Sequence, residues 1–145
     1  MTSTGASRKF IVDIPIIDGF YSGTGDLFAA LTLARLREYS DLVGLLGTKS
    51  WAPSDETTAL DLPLTKAIEV VLGSMHMVLE KTRETRDRVM KREEETERDR
   101  VVKKEEEAKE LKKHVAYTRA SELRLVQCQK ELLTPVMVFK AVVLA

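Results

Sequence analysis

An α/β fold is what this sequence predicts: part of a central sheet with packed helices, extended by a long charged helix. Three observations carry the prediction. Residues 9–14, Lys-Phe-Ile-Val-Asp-Ile, have the β-branched and aromatic composition of a strand and stop at Pro15. Residues 26–39 and the stretch from Pro63 onward are rich in apolar residues at helical spacing. Residues 80–113 are mostly Glu, Lys, Arg and Asp, with the two signs close to balance.

Residues 1–8 are small and polar and read as a loop. After the strand at 9–14, Ile16-Ile17-Asp18-Gly19 bends the chain and Phe20-Tyr21 leads into Ser22-Gly23-Thr24-Gly25-Asp26. Gly23 and Gly25 lack a Cβ, so the backbone there can turn sharply and approach a ligand closely. The helix that follows begins with free N–H groups and the positive end of its dipole, a ready site for a phosphate or another developing anion. Asp26 sits in that first turn. A carboxylate there is poorly suited to hold a phosphate, but it can accept the proton of a hydroxyl that attacks phosphorus. By itself the short Gly-Thr-Gly-Asp run also fits an ordinary strand-to-helix turn whose acid complements the helix dipole. Asp18 likewise fits a plain Asx turn.

Leu27, Phe28, Ala30, Leu31, Leu33 and Ala34 surround the first turns of the helix at 26–39, which predicts a helix buried on most sides. Residues 44–62, with Gly44, Gly47, Pro53 and Asp55-Glu56-Thr57-Thr58, read as a long surface loop tacked down by Trp51. Asp61 is the expected N-cap of a second helix with proline in its first turn. Leu64, Ala67, Ile68, Val71, Leu72, Met75 and Leu79 form its core stripe, bordered by Met77, and His76 falls off the stripe toward the surface.

The charged run at 80–113 carries opposite charges four apart at Glu84/Arg88, Asp87/Lys91, Glu94/Arg98, Asp99/Lys103 and Glu105/Lys109. Each such pair adds only about 0.2–0.5 kcal/mol, yet together they support a solvated helix. Val89, Met90, Val101, Val102, Ala108 and Leu111 do not keep a heptad seam, so a coiled coil is not expected. The run reads as a helical insertion, or as an arm for a partner. Ser121–Gln127 and Val136–Leu144 have strand composition on either side of Thr134-Pro135. The chain thus divides into 1–79 (catalytic turn and helices), 80–113 (charged insertion) and 114–145 (terminal strands).

The 145 residues suit one domain, and 23 basic residues balance 23 acidic ones. That balance gives no reason to expect nucleic acid or an acidic membrane surface as partner. The single cysteine, Cys128, suits a reducing compartment and has no neighbouring base to make it a nucleophile. No apolar run is long enough to span a bilayer and no signal-peptide core is present, so a cytoplasmic protein is expected.

From Ile11 to Ala30, Ile-Val-Asp-Ile-Pro-Ile-Ile-Asp-Gly-Phe-Tyr-Ser-Gly-Thr-Gly-Asp-Leu-Phe-Ala-Ala resembles the C-terminal catalytic segment of pyridoxal kinases, in the ribokinase-like superfamily. Sugar kinases of that superfamily usually have alanine in place of Thr24, and hydroxymethylpyrimidine kinases usually have cysteine in place of Asp26. The resemblance implies a partial ribokinase-like fold and phosphorylation of the 5′-hydroxyl of pyridoxal, pyridoxine or pyridoxamine by ATP with Mg²⁺. It implies Asp26 as catalytic base, Gly23, Thr24 and Gly25 as the anion hole, and Ile17, Asp18 and Gly19 along the nucleotide. Family members are commonly homodimers. It resumes at 121–127 and 136–144 and is interrupted by the insertion.

Pyridoxal kinases are considerably longer. The strands that hold the vitamin ring and the acidic residues that hold the metal are expected outside this chain, which therefore reads as a fragment that is inactive alone. Two other functions fit the sequence: a non-catalytic interaction protein built on the charged helix, and another ribokinase-like kinase of small molecules. The kinase reading would collapse if Asp26 pointed into solvent or packed away from any cleft, with the amides beside it capped by the protein itself.

Overall fold

The computed structural model describes residues 7–48, 51–98 and 106–144. In chain order these form strand β1 (Phe10–Val12), helix α1 (Thr24–Leu42), helix α2 (Pro63–Arg98), helix α3 (Glu106–Ala120), the short helix α4 (Gln129–Leu133) and strand β2 (Ala141–Val143). Single 3-10 turns occupy Ala59–Asp61 and Val126–Cys128. The molecule is mixed α/β but mostly helical.

The two strands pair antiparallel, with Phe10 opposite Val143, Ile11 opposite Val142 and Val12 opposite Ala141. The expected strands at 9–14 and 136–144 are thus each cut to three residues. Each strand has one neighbour, and a two-stranded ribbon is marginal without further support. That support comes from α2: buried Glu69 accepts a hydrogen bond from the Ala141 N–H at 2.8 Å and pairs with Lys140 at 3.6 Å.

The strand expected at 121–127 does not form. Glu122 makes an isolated parallel bridge to Ser22, and the chain then coils through the 3-10 turn into α4. β propensity expresses itself only where a pleated surface is available. Here Leu123 and Cys128 reach the core from turns and Leu132 from α4: they pack with Leu27, Leu31, Val71, Met75 and Val78.

Helix α1 starts directly after Gly23, which holds φ 86° at the N-cap position, and ends at Leu42, just before Gly44, where φ is 71°. The Gly44 and Leu45 N–H groups bond back to Asp41 and Ser40 oxygens at 2.9 and 2.8 Å, closing the last turn. The expectation of burial on most sides is overturned: only Leu27 and Ser40 are buried, while Phe28 is 38% and Leu33 65% exposed. Helix α1 packs mainly against α2, with Leu27 and Leu31 also meeting Leu123 and Leu132. Arg35 does not simply mark emergence into water. Its guanidinium donates to the Leu132 and Leu133 carbonyls at 2.8 Å each, where positive charge complements the C-terminal end of α4.

Leu62, not Asp61, immediately precedes α2, and its carbonyl accepts from the Lys66 N–H at 3.1 Å. Asp61 ends the 3-10 turn and accepts from the Thr58 hydroxyl at 2.6 Å. Ala67, Val71 and Met75 are buried as the stripe predicts, joined by Val70 and Val78, whereas Leu64 is exposed. Gly73 admits the chain closely: a Cβ there would stand 2.7 Å from the Val136 carbonyl oxygen.

No break falls at residue 80. Helix α2 runs 36 residues, and Thr82 and Arg86, inside the supposed insertion, are buried. Helix α3 packs against α2. The expected ladder of pairs is replaced where it is described: Asp87 pairs with Arg86 at 3.0 Å and Glu94 with Lys113 of α3 at 3.5 Å. Asp99, Lys103, Glu105 and the Arg98 side chain lie outside the description. In the loop before α2, Trp51 is half-buried, consistent with its anchoring role. Among the described residues, no helix is long and apolar enough to cross a membrane.

Candidate active site

The turn ahead of α1 is shaped by short-range bonds. The Tyr21 hydroxyl donates to the Asp18 carbonyl at 3.0 Å, Gly19 has φ 120°, and Gly23 reverses the chain. The Leu27 N–H closes the first helical bond onto the Gly23 carbonyl at 3.0 Å. No side chain caps the start of the helix. The N–H groups of that first turn have no intrahelical acceptor, which leaves them suited to an anion.

Beside this helix start lies a largely apolar cleft of about 550 Å³. Ile14 to Ile17, Thr24, Gly25 and Phe28 form one side, and Leu72, Met75, His76 and Leu79 of α2, with Phe139, form the other. His76 and Phe139 meet edge to face, with ring centres 5.2 Å apart and planes at 89°. The site therefore joins an apolar chamber, sized for a planar ring, to the amide end of a helix.

Ile17, Thr24 and Gly25 share the cleft wall. Gly23, the N-cap residue just before Thr24, is not part of the lining. Asp26 is exposed in the first turn, one residue beyond the wall and not within the lining. Asp18 and Gly19 do not line the cleft; Gly19 faces α2 and α3, where a Cβ on it would collide with Nη1 of Arg86. His76 and Phe139 were not foreseen as site residues. A histidine on a helix border carries no short-range signal, and its meeting with Phe139 depends on the whole fold.

Arg86 was also not foreseen. Its guanidinium lies over the rings of Tyr21 and Tyr117, 5.3 Å from each centroid. It donates to Asp87 at 3.0 Å through Nε and to the Tyr117 hydroxyl at 3.4 Å through Nη1. Burial pushes the Tyr21 phenol above its ordinary value, outweighing the opposite pull of Arg86. Burial also works against the Arg86 charge, but the bond to Asp87 and the two tyrosines more than offset it and its pKa is raised. The one sequence cue was Tyr117, an aromatic in a charged helix.

A larger groove of about 860 Å³ runs between α2 and α3, past Val89, Arg92, Leu111 and Val115, and shares no residue with the cleft. Among the described residues, no group of three or more His, Cys, Asp or Glu is placed to hold a metal ion.

In this mixed α/β segment an uncapped helix start opens on an apolar cleft. No family model matches the chain. Two proteins of Schizosaccharomyces pombe do resemble it. "Putative pyridoxal kinase C6F6.11c" is 41% identical over 76 residues, covering 52% of this chain and 21% of that protein. "Putative pyridoxal kinase C18.10" is 30% identical over 139 residues, covering 94% of this chain and 35% of that protein. The chain is thus pyridoxal-kinase-like, and it spans about a third or less of the length of the relatives it matches.

Proposed function

We propose that this chain is the C-terminal catalytic segment of a ribokinase-like pyridoxal kinase, which transfers the γ-phosphoryl group of ATP to the 5′-hydroxyl of pyridoxal, pyridoxine or pyridoxamine. The observation that carries the reading is that Thr24 and Gly25 stand both at the uncapped start of α1 and on the wall of the apolar cleft. The cleft suits a nucleotide base, with Ile17 along it and the phosphates directed to the turn. The N–H groups around Gly23, Thr24 and Gly25 bind charge on the phosphoryl oxygens, and one such donor can contribute roughly 3–4 kcal/mol. Asp26 takes the hydroxyl proton as the vitamin oxygen bonds to phosphorus and the bond to the bridging oxygen of the departing ADP breaks. General-base assistance of this kind adds typically about 10²–10⁴-fold. Mg²⁺ neutralises phosphate charge in such transfers, and no described acidic cluster fits it here, so no residue of this chain is assigned to it.

Alone, the 145-residue chain binds ATP weakly and forms no pyridoxal 5′-phosphate, because the surfaces for the vitamin ring and metal belong to the remainder of such a kinase. The test uses the purified chain and a chimera in which it replaces the matching 139 residues of the second relative. The chain should bind ATP without turnover, and the chimera should phosphorylate pyridoxal. Asp26→Asn in the chimera should lower kcat by about 10²-fold or more with ATP affinity nearly unchanged. Turnover by the chain alone would refute its incompleteness, and an active Asp26→Asn chimera would refute the base.

A further inference from the structure

The charged segment at 80–113 is the part of the sequence that the proposed reaction leaves without a role, yet its first turns are bound to the site. Arg86, 6% exposed, covers the Tyr21 ring on one side and the Tyr117 ring on the other. Its Nη1 fills the space where a Cβ of Gly19 would be, and Tyr21 in turn holds the Asp18 carbonyl. One residue after Tyr21, Ser22 bridges Glu122 and its N–H approaches the Ser121 carbonyl at 3.4 Å, just beyond the end of α3. One guanidinium thus joins α2, α3 and the loop that delivers Gly23 to the start of α1. A lysine cannot replace it, since the stacked planar fork is what reaches both rings and the Tyr117 hydroxyl.

We propose that Arg86 is a positioning residue that holds residues 18–23 in the shape that presents the α1 amides, so that the α2–α3 hairpin is a working part of the site. The consequence for ligand binding rests on the phosphate reading of the turn given above; the positioning itself does not.

The experiment measures amide hydrogen exchange on the 145-residue chain, comparing residues 19–25 with Val71 and Val78 as an internal reference. Arg86→Met keeps the aliphatic stem and removes the fork. Exchange at 19–25 should quicken at least tenfold, with Val71 and Val78 changing less than twofold. ATP should protect 19–25 in the parent chain, and the variant should need at least tenfold more ATP for equal protection, with adenosine binding unchanged. Arg86→Lys should fall close to Arg86→Met. The proposal is overturned if exchange at 19–25 is unaltered, if it rises only in step with Val71 and Val78, or if ATP protects both proteins equally. If ATP protects neither protein but the turn still loosens, the positioning stands and the phosphate reading falls. Should Arg86→Met fail to fold, Tyr117→Leu removes one stacking face and is judged by the same readouts.

Discussion

Replacing Gly25 by alanine should strengthen the fold and weaken the site. A Cβ built at Gly25 meets nothing within 4 Å, and the residue is the second of α1. Nothing in the protein opposes alanine there, and the unfolded chain loses freedom. Gly→Ala at a compatible helical position stabilises by about 0.5–1 kcal/mol. For a chain of this size that raises Tm by about 1–4 °C. The same methyl stands on the cleft wall, where the proposed phosphate must come within hydrogen-bond distance of the backbone. Displacing a bound group by about 1 Å can cost on the order of 10²-fold, so ATP affinity should fall at least tenfold. Gly23→Ala is the control with the opposite physics. Its space is open to 3.9 Å, but its φ of 86° costs a side chain about 1–2 kcal/mol, so Tm should drop. Thermal unfolding by circular dichroism and titration with a fluorescent ATP analogue read both quantities. A Gly25→Ala protein that melts lower would refute the packing argument, and one that melts higher with unchanged ATP affinity would refute the close approach of phosphate.

Other expectations follow from the same structure. Gly73→Ala gains about 1 kcal/mol of helix propensity but drives a methyl into the Val136 carbonyl, and overpacking costs about 1–3 kcal/mol. Its urea midpoint should fall, and an unchanged or higher midpoint would mean that segment 135–136 yields freely. The hydrogen bond between Lys81 and Glu131 holds the Glu131 carboxyl below, and the Lys81 ammonium above, their ordinary values. Glu131 therefore contributes fully above the unfolded value of about 4.3 and loses its contribution as pH falls through its lowered folded value. Lys81 contributes fully below about 10.4 and loses its contribution as pH rises through its raised value. The stability gap between the parent and Lys81→Met should be level near neutrality and narrow toward both extremes; a pH-independent gap would count against the pair. Cys128 is fully buried and burial pushes its thiol up, so Ellman's reagent should react at least tenfold more slowly with native than with urea-unfolded chain. Equal rates would contradict that burial.

What was legible in the sequence is what short-range chemistry decides. Gly23 announced the turn because a left-handed φ has few other solutions, whereas Gly25, expected in the turn, lies in α1, which starts at Thr24 and not at residue 26. Pro63 announced the start of α2 for a similar reason. The boundary expected at residue 80 came from reading charge as solvation, yet α2 runs through it: Thr82 is buried with its hydroxyl bonded to the Val78 carbonyl at 2.8 Å, and Arg86 is buried between two distant tyrosines. Neither partner set is visible from local composition. The misread strand at 121–127 has the same origin, since Leu123 can serve a sheet or a helical core and only its neighbours choose. The cleft was the least legible feature. Ile17, Thr24 and Gly25 lie near one another in the chain, but His76 and Phe139 reach the opposite wall only through tertiary packing.

The exposed face of α1 links stability to the proposed chemistry. A helix apolar around its first turns is built to be covered, yet Phe28 and Leu33 lie open, as do Ile14 and Phe20 in the preceding segment, and Ile16 is 91% exposed. Fully burying one such side chain contributes about 1.5–3 kcal/mol, so a surface that covered several would add stability comparable to that of a small domain. Scattered apolar exposure is normal for a folded protein; here it falls both on the elements that carry the glycine turn and on residues 125–144. In the proposed kinase, the covering surface would be the same one that completes the vitamin and metal sites. Assembly of the active centre and burial of α1 would then be a single event.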